Sequence, residues 1–302
     1  MKNILIDTDC GVDDAVAIMI ALASPELNVQ GLTTVNGNVG VEQVSENVLR
    51  LLPFLGREDI PVFRGASRPL IGLTHHAEGV HGRNGLGDVD LPDAGKGVES
   101  AGAPEGMLRL AREDPGLSLV ALGPLTNVAI ALNLYPELEG LVGEIISMGG
   151  AIGKGNVTPY AEFNYYTDPE SVQVVLESKA PLTVVPWDAA INMAHSEEEI
   201  QALGFGDGKA GRLLLEMHQP LFAYIEKVYG SRAAMFPDPL TMAYVVNPAI
   251  AKQVLAGNLE MELADTPRRG ASVHRKGQRV KLVMEIDKAG FQSILLRIRN
   301  LA

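Results

Sequence analysis

Four carboxylates fall within eight residues at Asp7-Thr8-Asp9-Cys10-Gly11-Val12-Asp13-Asp14, directly ahead of an apolar run with helical spacing. Like charges held this close repel, and a hard divalent cation offsets that cost because it takes oxygen ligands from several carboxylates at once. Attraction of acids to a helix N-terminus would account for Asp13 and Asp14. It leaves Asp7 and Asp9 unexplained, so the stretch reads as a metal site.

Other polar clusters recur down the chain. Asn36-Gly37-Asn38 is a turn carrying two amides. Glu78-Gly79-Val80-His81-Gly82-Arg83-Asn84-Gly85-Leu86-Gly87 is glycine-rich, with histidines at 75, 76 and 81, and suits either a surface loop or a mobile active-site lid. Gly123-Pro124-Leu125-Thr126-Asn127 runs from a strand end into a helix, with carbonyls available to a hard cation. Asn156, Glu162 and Asn164 bracket an aromatic residue in a loop, and amides with a carboxylate suit sugar hydroxyls, which both donate and accept. Phe236-Pro237-Asp238 sets one more carboxylate ahead of a helix.

Short apolar runs alternate with segments of helical period, which predicts an α/β fold: an open, mostly parallel sheet with helices on both faces. Strands are expected at 3–7, 29–35, 117–122, 144–148, 182–186 and 280–286. Helices are expected at 13–23, 41–52, 106–113, 125–134, 169–177, 211–229, 239–246 and 289–299. In such folds ligands sit beyond the carboxyl ends of the strands, where the acids and amides above fall. No linker divides the chain, so residues 1–302 read as one domain.

Composition narrows the partners. A net charge of −12 argues against nucleic acid, whose phosphates attract Lys and Arg, and favours a small uncharged or cationic ligand. The chain has one cysteine, Cys10, so an intrachain disulfide cannot form. No apolar run reaches membrane-spanning length and no signal-peptide core develops before Asp7. No membrane partner and a cytoplasmic location are the expectations.

Several of these segments together resemble the inosine-uridine-preferring nucleoside hydrolase family. The matching stretches are Asp7 to Ala15, His81 to Gly87, Gly123 to Asn127, Ala161 to Asn164 with Asp168-Pro169-Glu170, and Asp238-Pro239-Leu240. The resemblance implies hydrolysis of the N-glycosidic bond of a ribonucleoside around a bound Ca²⁺. It implies Asp9, Asp14, Asp238 and the Leu122 carbonyl as metal ligands, and Asp13 as general base towards a calcium-bound water. It further implies Asn38, Asn156, Glu162 and Asn164 as ribose ligands, and a homodimer or homotetramer. Chemically, such a reaction develops positive charge on the ribose ring, which carboxylates and amide oxygens stabilise.

The chain departs from the family in one place that matters. Pro237 stands where the best-known members carry a His ahead of the last metal-binding Asp, able to protonate a purine. Tyr229, His81 and His218 are the candidates for activating the leaving base. Cys10 replaces a usual Pro, and a thiol among carboxylates is not expected to ionise. Trp187 follows a strand and is available to stack on a base.

Three other readings are weighed. Counted as an EF-hand, positions five and twelve are Gly11 and Ile18, which supply no side-chain oxygen. A haloacid-dehalogenase-like phosphatase would use Asp7 as nucleophile with Mg²⁺, but Gly11 stands where Thr or Val is expected. A calcium-dependent nucleoside- or sugar-binding protein without turnover is the non-enzymatic alternative. The preferred base is left open, with the segments 75–87 and 224–236 expected to contact it.

Overall fold

Ile4-Leu5-Ile6 is apolar on consecutive residues, and a strand of that kind must be covered on both faces. In the computed structural model, which describes residues 1–206 and 208–301 except for the side chains of Val228 and Tyr229, this strand lies inside the sheet. The strands in chain order are β1 (Lys2–Thr8), β2 (Leu27–Thr34), β3 (Val62–Arg64), β4 (Ser118–Ala121) and β5 (Glu144–Met148). There follow β6 (Leu182–Val185), β7 (His195–Ser196), β8 (Ala233–Ala234), β9 (Ala251–Met261) and β10 (Ser272–Ile286).

Eight of them form one sheet in the order β3-β2-β1-β4-β5-β6-β10-β9, parallel throughout except that β9 runs antiparallel to β10. Strands β7 and β8 pair separately. Side chains alternate across the sheet as a period of two requires. Ile4, Ile6 and Val120 join the core beneath the helices Val12–Leu22 and Pro237–Val246, while Leu5, Leu119 and Ala121 join the core with Met107, Val128 and Val172. The chain direction of the crossovers reverses between β1 and β4, so a crevice opens at the carboxyl ends of these two strands.

Most expected elements are present, with shifted ends. The helix expected at 13–23 is Val12–Leu22, that at 239–246 begins at Pro237, and that at 289–299 stops at Leu295 and tightens into a 3-10 turn, Leu296–Asn300. The expected strand 280–286 is the second half of β10, which pairs with the unforeseen β9. Strand β3 was also unforeseen. Among the described residues, no helix is long and apolar enough to cross a membrane.

Residues 65–102 form a long connection whose short helix, Glu78–His81, is brought over the crevice. The Ala77 N–H donates to the Asn38 carbonyl at 2.9 Å, and the Leu70 N–H donates to Asp168 Oδ2 at 2.9 Å. Both bonds fix this segment to loops that follow parallel strands.

Candidate active site

Strand β1 ends at Thr8, and the chain then turns sharply into the helix Val12–Leu22. Cys10 takes a positive φ of 35° to make that turn. Its thiol is buried, and burial together with the neighbouring acids pushes its ionisation well up, so it is held as a neutral thiol. Asp14 braces the turn: Oδ1 accepts the Thr8 hydroxyl at 2.5 Å and Oδ2 accepts the Gly11 N–H at 2.9 Å. The latter satisfies one of the free N–H groups at the helix start.

Two glycines let the loops converge. A Cβ on Gly37 would lie 2.0 Å from Asp9 Oδ2, and one on Gly11 would lie 2.4 Å from Asn38 Nδ2. With neither present, the Asn38 N–H reaches Asp9 Oδ2 at 2.8 Å and the Asn38 side chain reaches Asp14 Oδ2 at 3.3 Å.

The crevice deepens into a cleft of about 200 Å³. Asp9, Asp13, Asn38 and Asp238 line its floor with the Leu122 residue, and Asn156, Glu162 and Asn164 line it from the loop after β5. His81 enters from the 65–102 connection, with Trp187, Tyr224, Met235 and Pro237 also on the wall. Asp14 lies fully buried behind Asp13 and Asp238.

One oxygen each from Asp13, Asp14 and Asp238 falls within a common 4.8 Å. Burial raises the ionisation of all three, Asp13 to about 6. Asp238 is pushed well above the carboxylate range by burial first, then by the charges of Asp13, Asp14 and Asp9. Its Oδ1 is buried and, among the described residues, has no hydrogen-bond partner. Converging oxygens, mutual repulsion and an orphaned acceptor are what a hard cation would resolve, so the residues fit a metal ion. Asp9, also raised by burial and by Asp14, stands beside this trio rather than within it. The Leu122 carbonyl accepts Asn164 Nδ2 at 2.6 Å, leaving its second lone pair.

Glu162 caps the helix Phe163–Thr167. Its oxygens accept the N–H groups of Asn164 at 2.8 Å, Gly150 at 2.8 Å and Tyr165 at 3.2 Å, while burial lifts its ionisation to about 7. Asn156 Oδ1 accepts the Phe163 N–H at 2.9 Å, which turns its amide N–H groups free for another acceptor.

His81 Nδ1 accepts the Val12 N–H at 3.2 Å and lies 3.7 Å from Asp13 Oδ1. Burial lowers its ionisation to about 4, so the ring is neutral and carries its proton on Nε2.

Other expectations are corrected. Asp7 is fully buried, accepts the Thr33 hydroxyl at 2.6 Å and Asn127 Nδ2 at 2.7 Å, and does not line the cleft. A carboxylate sealed this way cannot act as a phosphatase nucleophile. His218 is likewise sealed, its ring 5.2 Å from that of Phe236 and 5.8 Å from that of Phe222. It therefore does not reach a leaving base. The side chain of Tyr229 lies outside the described residues.

Sequence reasoning missed two braces and two wall residues, Met148 and Leu221. Asn127 ties Asp7 to the Thr34 carbonyl and the Ala66 N–H, and Asp168 ties the Thr126 hydroxyl to the Leu70 N–H. Met148, on the cleft wall, is the last residue of β5, so the strand-end rule applied to every strand would have found it.

Residues 4–293 match the family described as inosine-uridine preferring nucleoside hydrolase. The pyrimidine-specific ribonucleoside hydrolase RihA of Citrobacter koseri is 38% identical over 249 residues, covering 82% of this chain and 80% of its own. Among solved structures, a plant nucleoside hydrolase, PpNRh1, superposes with a TM-score of 0.93 at 34% identity over 99% of both chains. The purine-preferring ribonucleoside hydrolase from Gardnerella vaginalis gives 0.93 at 29% identity over 99% of both chains. A cleft of carboxylates and amides at the sheet switch point, in a chain related to these enzymes over most of its length, makes this a glycosidase that splits ribonucleosides into ribose and free base: the chain belongs to the inosine-uridine preferring nucleoside hydrolase family.

Proposed function

We propose that the enzyme acts first on pyrimidine ribonucleosides, and that its carboxylates hold a Ca²⁺ ion. The observation that supports the metal reading is the buried trio Asp13, Asp14 and Asp238, with Oδ1 of Asp238 unpartnered among the described residues. Asp14 and Asp238 of that trio would hold the ion together with the neighbouring Asp9 and the Leu122 carbonyl, a hard oxygen set suited to calcium, while Asp13 stays close enough to take a proton from water beside it. When bound, the ion supplies positive charge that neutralises the acids, orients the ribose diol and makes a nearby water more acidic.

The remaining work falls to the chain. Asn38 and Asn164 orient the ribose diol against the floor, and Glu162 and Asn156 hold the 5′ arm. Asp13 takes the proton of the attacking water as its oxygen bonds to C1′. The C1′–N bond breaks with its electron pair going to the base. The positive charge that builds on the ribose is stabilised by the fixed carboxylates around it. His81, neutral and with Nδ1 already engaged, presents Nε2–H to a base carbonyl and stabilises the charge arriving there. This suits a pyrimidine, which carries a carbonyl beside the bond that breaks, and gives Pro237 no part in proton transfer.

The preference for pyrimidines is supported by the relation to RihA at 38% identity. A homodimer or homotetramer in the cytoplasm, serving nucleoside salvage, is proposed with it; a buried lone cysteine accords with a reducing compartment. The test is ribose release from uridine, cytidine, inosine, adenosine and guanosine under one set of conditions. Faster turnover of uridine and cytidine supports the reading, and faster turnover of the purines overturns the base assignment.

A further inference from the structure

A second cavity, of about 500 Å³, lies against the cleft and shares Asn156, Val157, Trp187, Ile225 and Met235 with it. Its remaining wall includes Pro159, Ile191, Ala194 and Ala233, and among the described residues Lys154, which is exposed, is its one charged lining. Neither His81 nor the acid trio borders it. Asn156 therefore stands where the cleft passes into the second cavity.

We propose that this cavity is a subsite for an apolar substituent carried on the 5′ oxygen, so that the enzyme also takes 5′-O-alkyl ribonucleosides. The inference rests on the ribose orientation given above. With the diol on the carboxylate floor and the 5′ arm held by Glu162 and Asn156, that arm ends at Asn156, which lines both the cleft and the second cavity. Asn156 has spent its Oδ1 on the Phe163 N–H, so what it offers there is a donor. An ether oxygen accepts that hydrogen bond as well as a hydroxyl does.

Beyond Asn156 the walls are mostly apolar, which favours an alkyl chain over a phosphate: a phosphate would meet a single exposed lysine in a chain of net charge −12. The chemistry is unchanged. Water adds to C1′, the base leaves with the C1′–N electron pair, and the 5′ ether bond stays intact in the released sugar.

The test compares uracil release from uridine, 5′-O-methyluridine, 5′-O-butyluridine and uridine 5′-phosphate by the full chain and by two variants. Ala194→Trp fills the second cavity, and Ile191→Glu puts a charge on its wall; both positions are exposed and neither lines the catalytic cleft. The expected result is a KM for the butyl ether about tenfold below that for the methyl ether, below the limit set by roughly fourfold per buried methylene. Both variants should erase that difference and leave the KM and kcat for uridine unchanged, which also shows that they fold. Turnover of uridine without the butyl ether, a butyl gain that survives both variants, or preference for the 5′-phosphate would overturn the subsite alone. No uracil from uridine or from either ether would remove the underlying pyrimidine-hydrolase reading, and the subsite with it.

Discussion

Nδ1 of His81 accepts the backbone N–H of Val12 at 3.2 Å, so a residue from a long connection is locked to the first turn of the helix that carries Asp13 and Asp14. The bond fixes the ring's tautomer and leaves Nε2–H as the donor that no described residue engages. Replacing His81 with Ala should lower kcat for uridine by about 10²-fold, within the usual range for one proton-handling group. Calorimetry should show calcium affinity nearly unchanged. A fall in calcium affinity that matches the loss of activity would mean that His81 acts through the metal site.

Asp13 and Asp14 are adjacent in sequence but differ in what surrounds them. Asp13 lines the cleft, whereas Asp14 is fully buried and tied to Thr8 and Gly11. Asp13→Asn should cut kcat by about 10²- to 10⁴-fold while the melting temperature holds. Asp14→Asn should lower both calcium affinity and the melting temperature, since it disturbs the brace of the turn. Equal effects of the two changes on melting would contradict this division.

Gly37 faces Asp9 so closely that an added Cβ would sit 2.0 Å from Oδ2 and 2.7 Å from Cβ. Gly37→Ala must therefore push Asp9 off the Asn38 N–H. Displacement of a site residue by about 1 Å costs on the order of 10²-fold in rate. Steady-state kinetics on uridine should show a loss of that size, with far-UV circular dichroism unaltered. Full activity would mean that Asp9 has no part in the site.

His218 is buried among Phe222 and Phe236, and burial lowers its ionisation from 6.5 to about 4. The unfolded chain takes a proton there below about pH 6.5 while the folded protein does not until about pH 4. Stability from this group is therefore complete above pH 6.5 and is lost as the pH falls towards 4. Between pH 7 and pH 5 the loss amounts to about 2 kcal/mol. His218→Phe, which packs with the same rings, should flatten the acid side of the stability curve by about that much in denaturant titrations. His81 shares the downward shift, so part of the slope persists in the variant. An unchanged slope would show that His218 is already charged in the folded protein.

The site was legible where chemistry and strand ends coincide. Asp9, Asp13 and Asp14 follow an apolar strand, and Glu162 and Asn164 follow the loop after β5, so type and position pointed the same way. Asp7 looked like a candidate phosphatase nucleophile because spacing alone does not reveal contacts made across 120 residues, such as its bond from Asn127. His218 misled for the same reason: its aromatic surroundings come from Phe236 on another segment. Strand β9 escaped notice because most of its residues are exposed at the sheet edge, so it lacks the apolar run that marked the inner strands. The second cavity is assembled from four separated segments, and no local pattern announces such a space.

Strip the protein of metal with a chelator, then titrate Ca²⁺ back while following ribose release from uridine and counting bound ions by calorimetry. The expected result is no turnover in the stripped protein and recovery in proportion to one bound ion per chain, both abolished by Asp238→Asn. Full turnover without metal, or one ion bound with no turnover of any ribonucleoside, would contradict the calcium-dependent hydrolase.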